Sequence, residues 1–278
     1  MTYFGFLSRF ILLPVLLLAG LTIWRASRRS NQAENWRAIP LWKTLTLFVL
    51  IAVIYTTPWD NYLVANRVWW YDPRLVTGIT FGWVPAEEYT FFILQTILTG
   101  LWLNLWMHSD LLRDGPEAFG KQIQKLAWPG VALVWVISTA FLFSGWRPAT
   151  YLTLILSWGL LPVILQLVFG ADILWRRRQL VLLGLLPTTL YLALADSFAI
   201  QAGTWTIDPD QTLGLLLGGV LPLEELVFFF ITNLVLVLGI VLFLDPESEN
   251  RLQRLVDLVA GWTGNRTGKG DPSGDAPI

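Results

Sequence analysis

The sequence predicts an all-α membrane protein with seven transmembrane helices, built as two parallel three-helix repeats joined by a connecting helix. Three observations carry this prediction. The 278 residues are 55% hydrophobic and only 14% charged, with a mean hydropathy of +0.57, whereas soluble domains are about a quarter charged. The apolar residues fall in blocks long enough to cross a bilayer, which takes roughly 20 residues. An eight-residue motif also occurs twice, each time in a matching apolar block. A soluble globular chain is excluded. With no cysteine and one histidine, His108, a disulfide framework, a thiol nucleophile, an iron–sulfur cluster and a His-rich metal site are excluded as well.

The spans read as 4–24, 38–57, 75–106, 127–145, 149–170, 180–200 and 212–244. The third and last are longer than a perpendicular crossing requires, so they tilt, kink or begin as a re-entrant segment. Pro85 and Pro222 lie inside them, and each would remove a helix hydrogen bond, so a kink is expected there. The first span carries its positive charges after the apolar stretch and reads as an uncleaved helix rather than a secretory signal. Residues 249–262 place Leu252, Leu255, Val256 and Val259 on one face beside Arg251 and Arg254, which fits a short helix on the membrane surface. The Gly-rich polar tail beyond it reads as disordered.

The basic residues set the orientation. Sorted by alternate loops, Arg25, Arg28, Arg29, Arg37, Arg113, Lys121, Lys125, Arg176, Arg177, Arg178 and the four of the tail fall on one side. Arg67, Arg74 and Arg147 fall on the other. The positive-inside rule then puts the N-terminus outside and the C-terminus in the cytoplasm, which leaves the Asn265-Arg266-Thr267 sequon on the cytoplasmic side as a chance match.

A shift of 136 positions aligns Asp60 with Asp196, Trp69 with Trp205, and Asp72-Pro73 with Asp208-Pro209. One inserted residue further on, Pro85-Ala86-Glu87-Glu88-Tyr89-Thr90-Phe91-Phe92 aligns with Pro222-Leu223-Glu224-Glu225-Leu226-Val227-Phe228-Phe229. The organisation follows: a first repeat over 1–115, a connecting helix in 116–146, a second repeat over 147–245 and a cytoplasmic tail over 246–278. An odd connector restores the direction of travel, so the repeats run parallel about an axis along the membrane normal. Glu87 and Glu224 then lie about 12 residues into their spans, roughly 18 Å deep and near mid-bilayer.

An acidic side chain in the middle of a span costs about 2.5–3.5 kcal/mol, so Glu87, Glu88, Glu224 and Glu225 are functional candidates. Burial and a like-charged neighbour both disfavour ionisation, so some of the four carry a proton while others are carboxylates. That is what acid–base work needs. Phe91 and Phe92 lie four residues on from Glu87 and Glu88, and Phe228 and Phe229 repeat the spacing, so each carboxyl shares a helix face with a ring. Aromatic faces stabilise cations within about 6 Å. Acids among such rings describe carbocation chemistry on an apolar substrate. A lone Phe-Phe would read as packing, and a lone Glu-Glu as a structural pair, a proton path or an ion site; duplication raises both above that. Most tryptophans read as interfacial anchors, but the repeated Trp69 and Trp205 stand out as substrate contacts. Asp60 and Asp196 are helix-end hydrogen-bond partners or site residues.

The duplicated Pro-x-Glu-Glu-x-x-Phe-Phe, with its upstream Trp and Asp-Pro loop, resembles the membrane-integral lycopene cyclases, in their fused single-chain form. The resemblance covers residues 1–245. It implies a redox-neutral cyclisation of linear carotenoid ψ end groups to β-rings, with Glu87, Glu88, Glu224 and Glu225 as acid–base candidates. Phe91, Phe92, Phe228 and Phe229 would be the cation-stabilising walls. It implies lycopene or a related linear carotenoid as substrate, a bacterial or archaeal cell membrane as location and other carotenoid-pathway enzymes as partners. Relatives include carotenoid hydratases and ε-ring or C50 cyclases. No cofactor, metal or nucleic-acid partner is expected, and no G-x-G-x-x-G follows a strand to hold a flavin. A different class, a proton-coupled transporter or a non-catalytic carotenoid-binding protein, is also compatible with a parallel repeat and buried acids.

Overall fold

The structure is a computed structural model that describes residues 1–28, 36–109, 112, 115 and 120–264. Arg29, Arg113, Arg266 and Lys269, the sequon at 265–267, the Gly-rich tail and the 116–119 start of the connector lie outside the described residues, as do the side chains of Lys121 and Val259. Among the described residues, seven helices are long and apolar enough to cross a membrane. They are α1 (Tyr3–Arg28), α2 (Leu41–Ala65), α3 (Ala86–Met107), α4 (Gly120–Phe143), α5 (Thr150–Arg176), α6 (Arg178–Gln201) and α7 (Leu223–Leu244). An eighth helix, α8 (Pro246–Gly264), follows directly.

The third and seventh spans differ from the sequence expectation. Neither α3 nor α7 contains its proline: Pro85 and Pro222 are extended N-cap residues. Proline suits that place because its missing N–H would have no helical partner there. The apolar residues ahead of each proline form a loop and a short hairpin rather than helix. Strand β2 (Thr80–Phe81) pairs with β3 (Val84–Pro85), and β5 (Leu216–Leu217) with β6 (Leu221–Pro222). Gly82-Trp83 turns the first, with Gly82 at φ 70°, the left-handed conformation glycine takes most easily. Gly218-Gly219-Val220 turns the second. The one-residue insertion between the repeats is the extra residue of this turn. No kink occurs at either proline; among the transmembrane helices, α5 breaks instead at Gly170, where φ is −158°.

Helices α3 and α7 sit at the centre of the bundle, with α1 and α2 packed on α3 and α5 and α6 on α7. The two central helices meet through polar side chains as well as apolar ones. Gln95 Nε2 donates to Thr232 Oγ1 at 3.2 Å and Thr99 Oγ1 to Asn233 Oδ1 at 2.8 Å, while Asn233 Nδ2 donates to Thr189 Oγ1 of α6 at 3.3 Å. Such bonds are worth about 0.6–2 kcal/mol each between membrane helices. Gly159 lets α5 approach α7, since a Cβ there would sit 2.1 Å from Ile231 Cγ2. The connector α4 packs along α5 and is otherwise almost entirely unburied.

At one end of the bundle the loops 66–85 and 202–222 close over the helices. Strand β1 (Trp69–Tyr71) pairs antiparallel with β4 (Trp205–Ile207), Trp70 facing Thr206. These two residues are equivalents under the 136-position shift, and Trp69–Ile207 and Tyr71–Trp205 flank them symmetrically. The backbone extends the symmetry: Asp72 N donates to Thr204 O, and Asp208 N to Val68 O. At the opposite end Arg176 and Arg177 hold Asp245, and Arg251 of α8 bridges Asp172 and Glu247. Helix α8 starts three residues earlier than the sequence suggests, and its Leu252, Leu255 and Val256 are exposed.

Candidate active site

Because α3 and α7 begin only after their prolines, all four glutamates occupy first turns. They therefore lie at one end of the bundle, beneath the loop cap, and not half-way along the helices. The reason is the hairpin, which takes up the residues counted as the first three turns of helix. A first turn also presents unpaired N–H groups and the positive end of the helix dipole, which stabilise negative charge.

The structure separates the four carboxyls into two kinds. Glu88 and Glu225 line a single cavity of about 450 Å³ of empty space, counted to its mouth. Glu87 and Glu224 are fully buried and turned into the cap. Glu87 Oε1 accepts the backbone N–H of Thr77 at 2.6 Å, and Glu224 Oε1 that of Leu213 at 2.7 Å. These equivalent bonds fasten each loop to its helix start, while the second oxygen of each carboxyl is buried without a hydrogen-bond partner.

Tyrosines hold the cavity pair. Tyr3 Oη of α1 donates a short hydrogen bond to Glu88, and Tyr151 Oη of α5 donates to Glu225 Oε1 at 2.7 Å. Glu88 Oε2 takes a second bond from Tyr71 at 3.0 Å, and Tyr71 in turn accepts from Trp69 Nε1 at 3.1 Å. In the other half, position 207 is isoleucine, and Trp205 Nε1 donates instead to Asp196 Oδ1 at 3.0 Å. Asp196 also lines the cavity, and its other oxygen is buried without a partner. Asp60, its equivalent, is 1% exposed, and neither of its oxygens has a hydrogen-bond partner among the described residues.

Of the aromatic residues singled out by sequence, Phe91, Phe228, Phe229, Trp69 and Trp205 line the cavity. Phe91 meets Phe229 across the α3–α7 contact with centroids 6.2 Å apart. Phe92 does not line it, and packs against Tyr89 and Phe91. Sequence reasoning missed Tyr3, Phe6, Tyr71 and Tyr151. A signal for two of them exists: Tyr3 and Pro14 recur as Tyr151 and Pro162, both displaced by 148 positions. The first spans of the repeats align once that second offset is used. Among the described residues no group of His, Asp and Glu is arranged to hold a metal ion.

Two carboxyls held by phenols in a ring-lined cavity, at the end of an integral-membrane helix bundle, have the chemistry to give and take protons beside an apolar surface. The family model for lycopene cyclase matches residues 6–106 and 148–244. The chain belongs to this enzyme family. The lycopene beta-cyclase of Halobacterium salinarum (strain R1) is 36% identical over 203 residues, covering 71% of this chain and 80% of that protein. The bifunctional lycopene cyclase/phytoene synthases of Aspergillus oryzae and Gibberella fujikuroi are 33% and 35% identical over 208 and 207 residues. These alignments cover 72% and 71% of this chain and 34% of each fungal protein. No solved structure matches the chain.

Proposed function

We propose that the protein is a lycopene β-cyclase in which Glu225 and Glu88 form the acid–base pair of one shared site. The observation that carries this is the single cavity lined by both carboxyls together with Phe91, Phe228, Phe229, Trp69 and Trp205. Glu225 donates a proton to C2 of the terminal C1=C2 bond of a linear ψ end group, leaving a tertiary cation at C1. The C5=C6 π electrons close the C1–C6 bond and move the cation to C5. Glu88 removes the proton from C6, and its electron pair forms the new C5=C6 bond of a β-ring. No electrons are gained or lost overall.

The direction of proton flow follows from the hydrogen bonds. A carboxyl that accepts from both Tyr3 and Tyr71 is organised as an acceptor, whereas Glu225 takes one hydroxyl and has Asp196 in the same cavity. The surrounding rings lie where the cation develops, and their faces stabilise it most where water is excluded. Glu87 and Glu224 are positioning residues that set the cap above the cavity. The basic residues support an orientation with the N-terminus and the cavity toward the outer face. Arg25, Arg37, Lys125, Arg176, Arg177, Arg178, Arg251 and Arg254 lie at or near the far end, against Arg67, Arg74 and Arg147 at the cavity end. The two repeats, joined by α4, then run parallel in the cell membrane.

Expression in a lycopene-accumulating bacterial host, followed by pigment chromatography, tests the reading. Products with β-rings are expected. Unchanged lycopene overturns the cyclase assignment, and a hydroxylated linear product replaces it with hydration.

A further inference from the structure

Two apolar grooves run down the outside of the bundle, one between α2 and α5 and the other between α1 and α6. They occupy equivalent places in the two halves. Tyr55 Oη donates to Trp158 O at 2.9 Å across the first, and Tyr191 Oη to Phe10 O at 2.7 Å across the second. Tyr55 and Tyr191 are related by the 136-position offset, and Phe10 and Trp158 by the 148-position one.

Their walls differ. The α1–α6 groove holds about 710 Å³ of empty space, and none of its lining residues also lines the cavity or makes a ring contact with it. The α2–α5 groove holds about 1300 Å³, counted to its open side, and shares a wall with the cavity through Trp59. The Trp59 ring stacks on Trp158 in the groove at 4.4 Å and 17°. Its other neighbours are Phe228, at 5.7 Å and 6°, and Trp69, at 5.8 Å, both of which line the cavity. Trp158, Trp59 and Phe228 thus form a ladder of near-parallel rings from the lipid-facing surface to the carboxyls. One hydrogen bond, Trp59 Nε1 to Leu154 O at 3.2 Å, ties the middle rung to α5.

We propose that the α2–α5 groove holds the conjugated chain of the linear substrate, with the reacting end group passing Trp59 into the cavity. This rests on the cyclase reading of the cavity. A long polyene cannot lie wholly within about 450 Å³ while one end group reacts there, so its remainder lies outside the cavity, and the α2–α5 groove is the apolar surface that shares an aromatic wall with it. At Trp59 that wall is two rings thick, Trp59 on the groove side and Phe228 or Trp69 on the cavity side. The groove follows α2 from Ile51 to Tyr62, ~16 Å at 1.5 Å per residue. Flat rings stacked along it match a planar conjugated chain better than a flexible saturated one. A lipid acyl chain is the competing occupant.

Ile54 (71% exposed, α2–α5 groove) and Leu17 (66% exposed, α1–α6 groove) point away from the cavity and provide matched blocks. The full-length protein is assayed in vesicles loaded with lycopene. Ile54→Trp is expected to lower kcat/KM about tenfold, a barrier of about 1.4 kcal/mol, and Leu17→Trp to stay within about twofold. In a Glu225→Gln background, lycopene co-purifying with the protein should be lost with Ile54→Trp and kept with Leu17→Trp. If Ile54→Trp lowers the melting temperature, Ile51→Trp in the same groove takes its place. Two indifferent blocks, two equal losses or a loss confined to Leu17→Trp each overturn the proposal. Absence of cyclic product from the unaltered chain would instead remove the cyclase reading itself.

Discussion

Around Glu88 the first half gathers Tyr3, Tyr71 and Trp69, while around Glu225 the second half sets Tyr151 alone and turns Trp205 to Asp196. One difference between the halves accounts for this. Position 71 is tyrosine, and its equivalent 207 is isoleucine. The Tyr71 hydroxyl bonds Glu88 and gives the Trp69 indole an acceptor, so Asp60 receives no donor. Ile207 can do neither, so the Trp205 indole bonds Asp196 instead. A duplicated helix pair supplies two carboxyls of the same kind, and a single side chain beside them gives each a different set of donors. In the proposed mechanism, acid and base are made from one motif by its surroundings.

The comparison breaks first at the carboxyls. Glu225→Gln removes the proposed proton donor, and conversion should fall by about 10²–10⁴-fold, the usual weight of a positioned acid. Glu88→Gln should lower conversion similarly but leave protonation in place, so chromatography of its residual pigment should show the cation diverted to other ring isomers or a water adduct. A residual product of β-rings alone would reverse the roles given to the two residues. Next come the phenols. Removing a hydrogen bond to a charged group costs about 1.5–3 kcal/mol. Tyr151→Phe, which takes from Glu225 the one hydroxyl that bonds it among the described residues, should slow turnover by about 10–100-fold. Tyr71→Phe, which leaves Tyr3 on Glu88, should cost less. Equal losses would mean that the number of donors does not distinguish the two arms.

Smaller effects belong to the cap. Glu87→Gln and Glu224→Gln keep a carbonyl for the Thr77 and Leu213 N–H groups, so activity should stay within about tenfold. The alanine variants leave those part-buried donors without their acceptors, at no more than about 1–3 kcal/mol each, and should show it as a lower melting temperature. Smallest is the loop ion pair. Hydrogen bonds from the Arg74 side chain and backbone hold the Asp72 carboxyl down at about 2, below its ordinary 3.8. Because the folded value is depressed, that stabilisation is present above pH 3.8 and lost as pH falls toward 2. Arg74→Gln should therefore leave the melting temperature at pH 7 within about 1 °C, since the pair is exposed. It should also reduce this contribution to the acid limb of a pH–stability curve, leaving the part due to the residue-74 backbone N–H.

Much of the architecture was legible in the sequence because hydropathy and charge are properties of whole segments. All seven spans are where the apolar blocks are, and Trp69, Trp205, Glu88 and Glu225 meet where the repeated motif suggests a site. The depth of that site was not legible. A hydropathy window cannot tell the loop and hairpin over 75–85 from three more turns of membrane helix, and the proline that ends the hairpin reads equally as a kink. The division between Glu87 and Glu88 is a matter of about 100° around a helix whose start was misplaced, so it could not be assigned either. The tyrosine partners come from α1 and α5, distant in sequence from the motif, and only the second offset connects them. Strands β1 and β4 are three residues each, too short for a periodic signal, and each exists only because the other half supplies its partner.

That strand pair has a consequence for assembly. Its central residues are the same position in two copies of one unit, so the strand is complementary to itself in register. Two separate half-length chains would have to find each other through such an edge at whatever density the membrane offered. Helix α4, which contributes little to the core, makes the encounter intramolecular. It fixes the effective concentration of one half around the other, so closure of the cavity over its two carboxyls is independent of expression level.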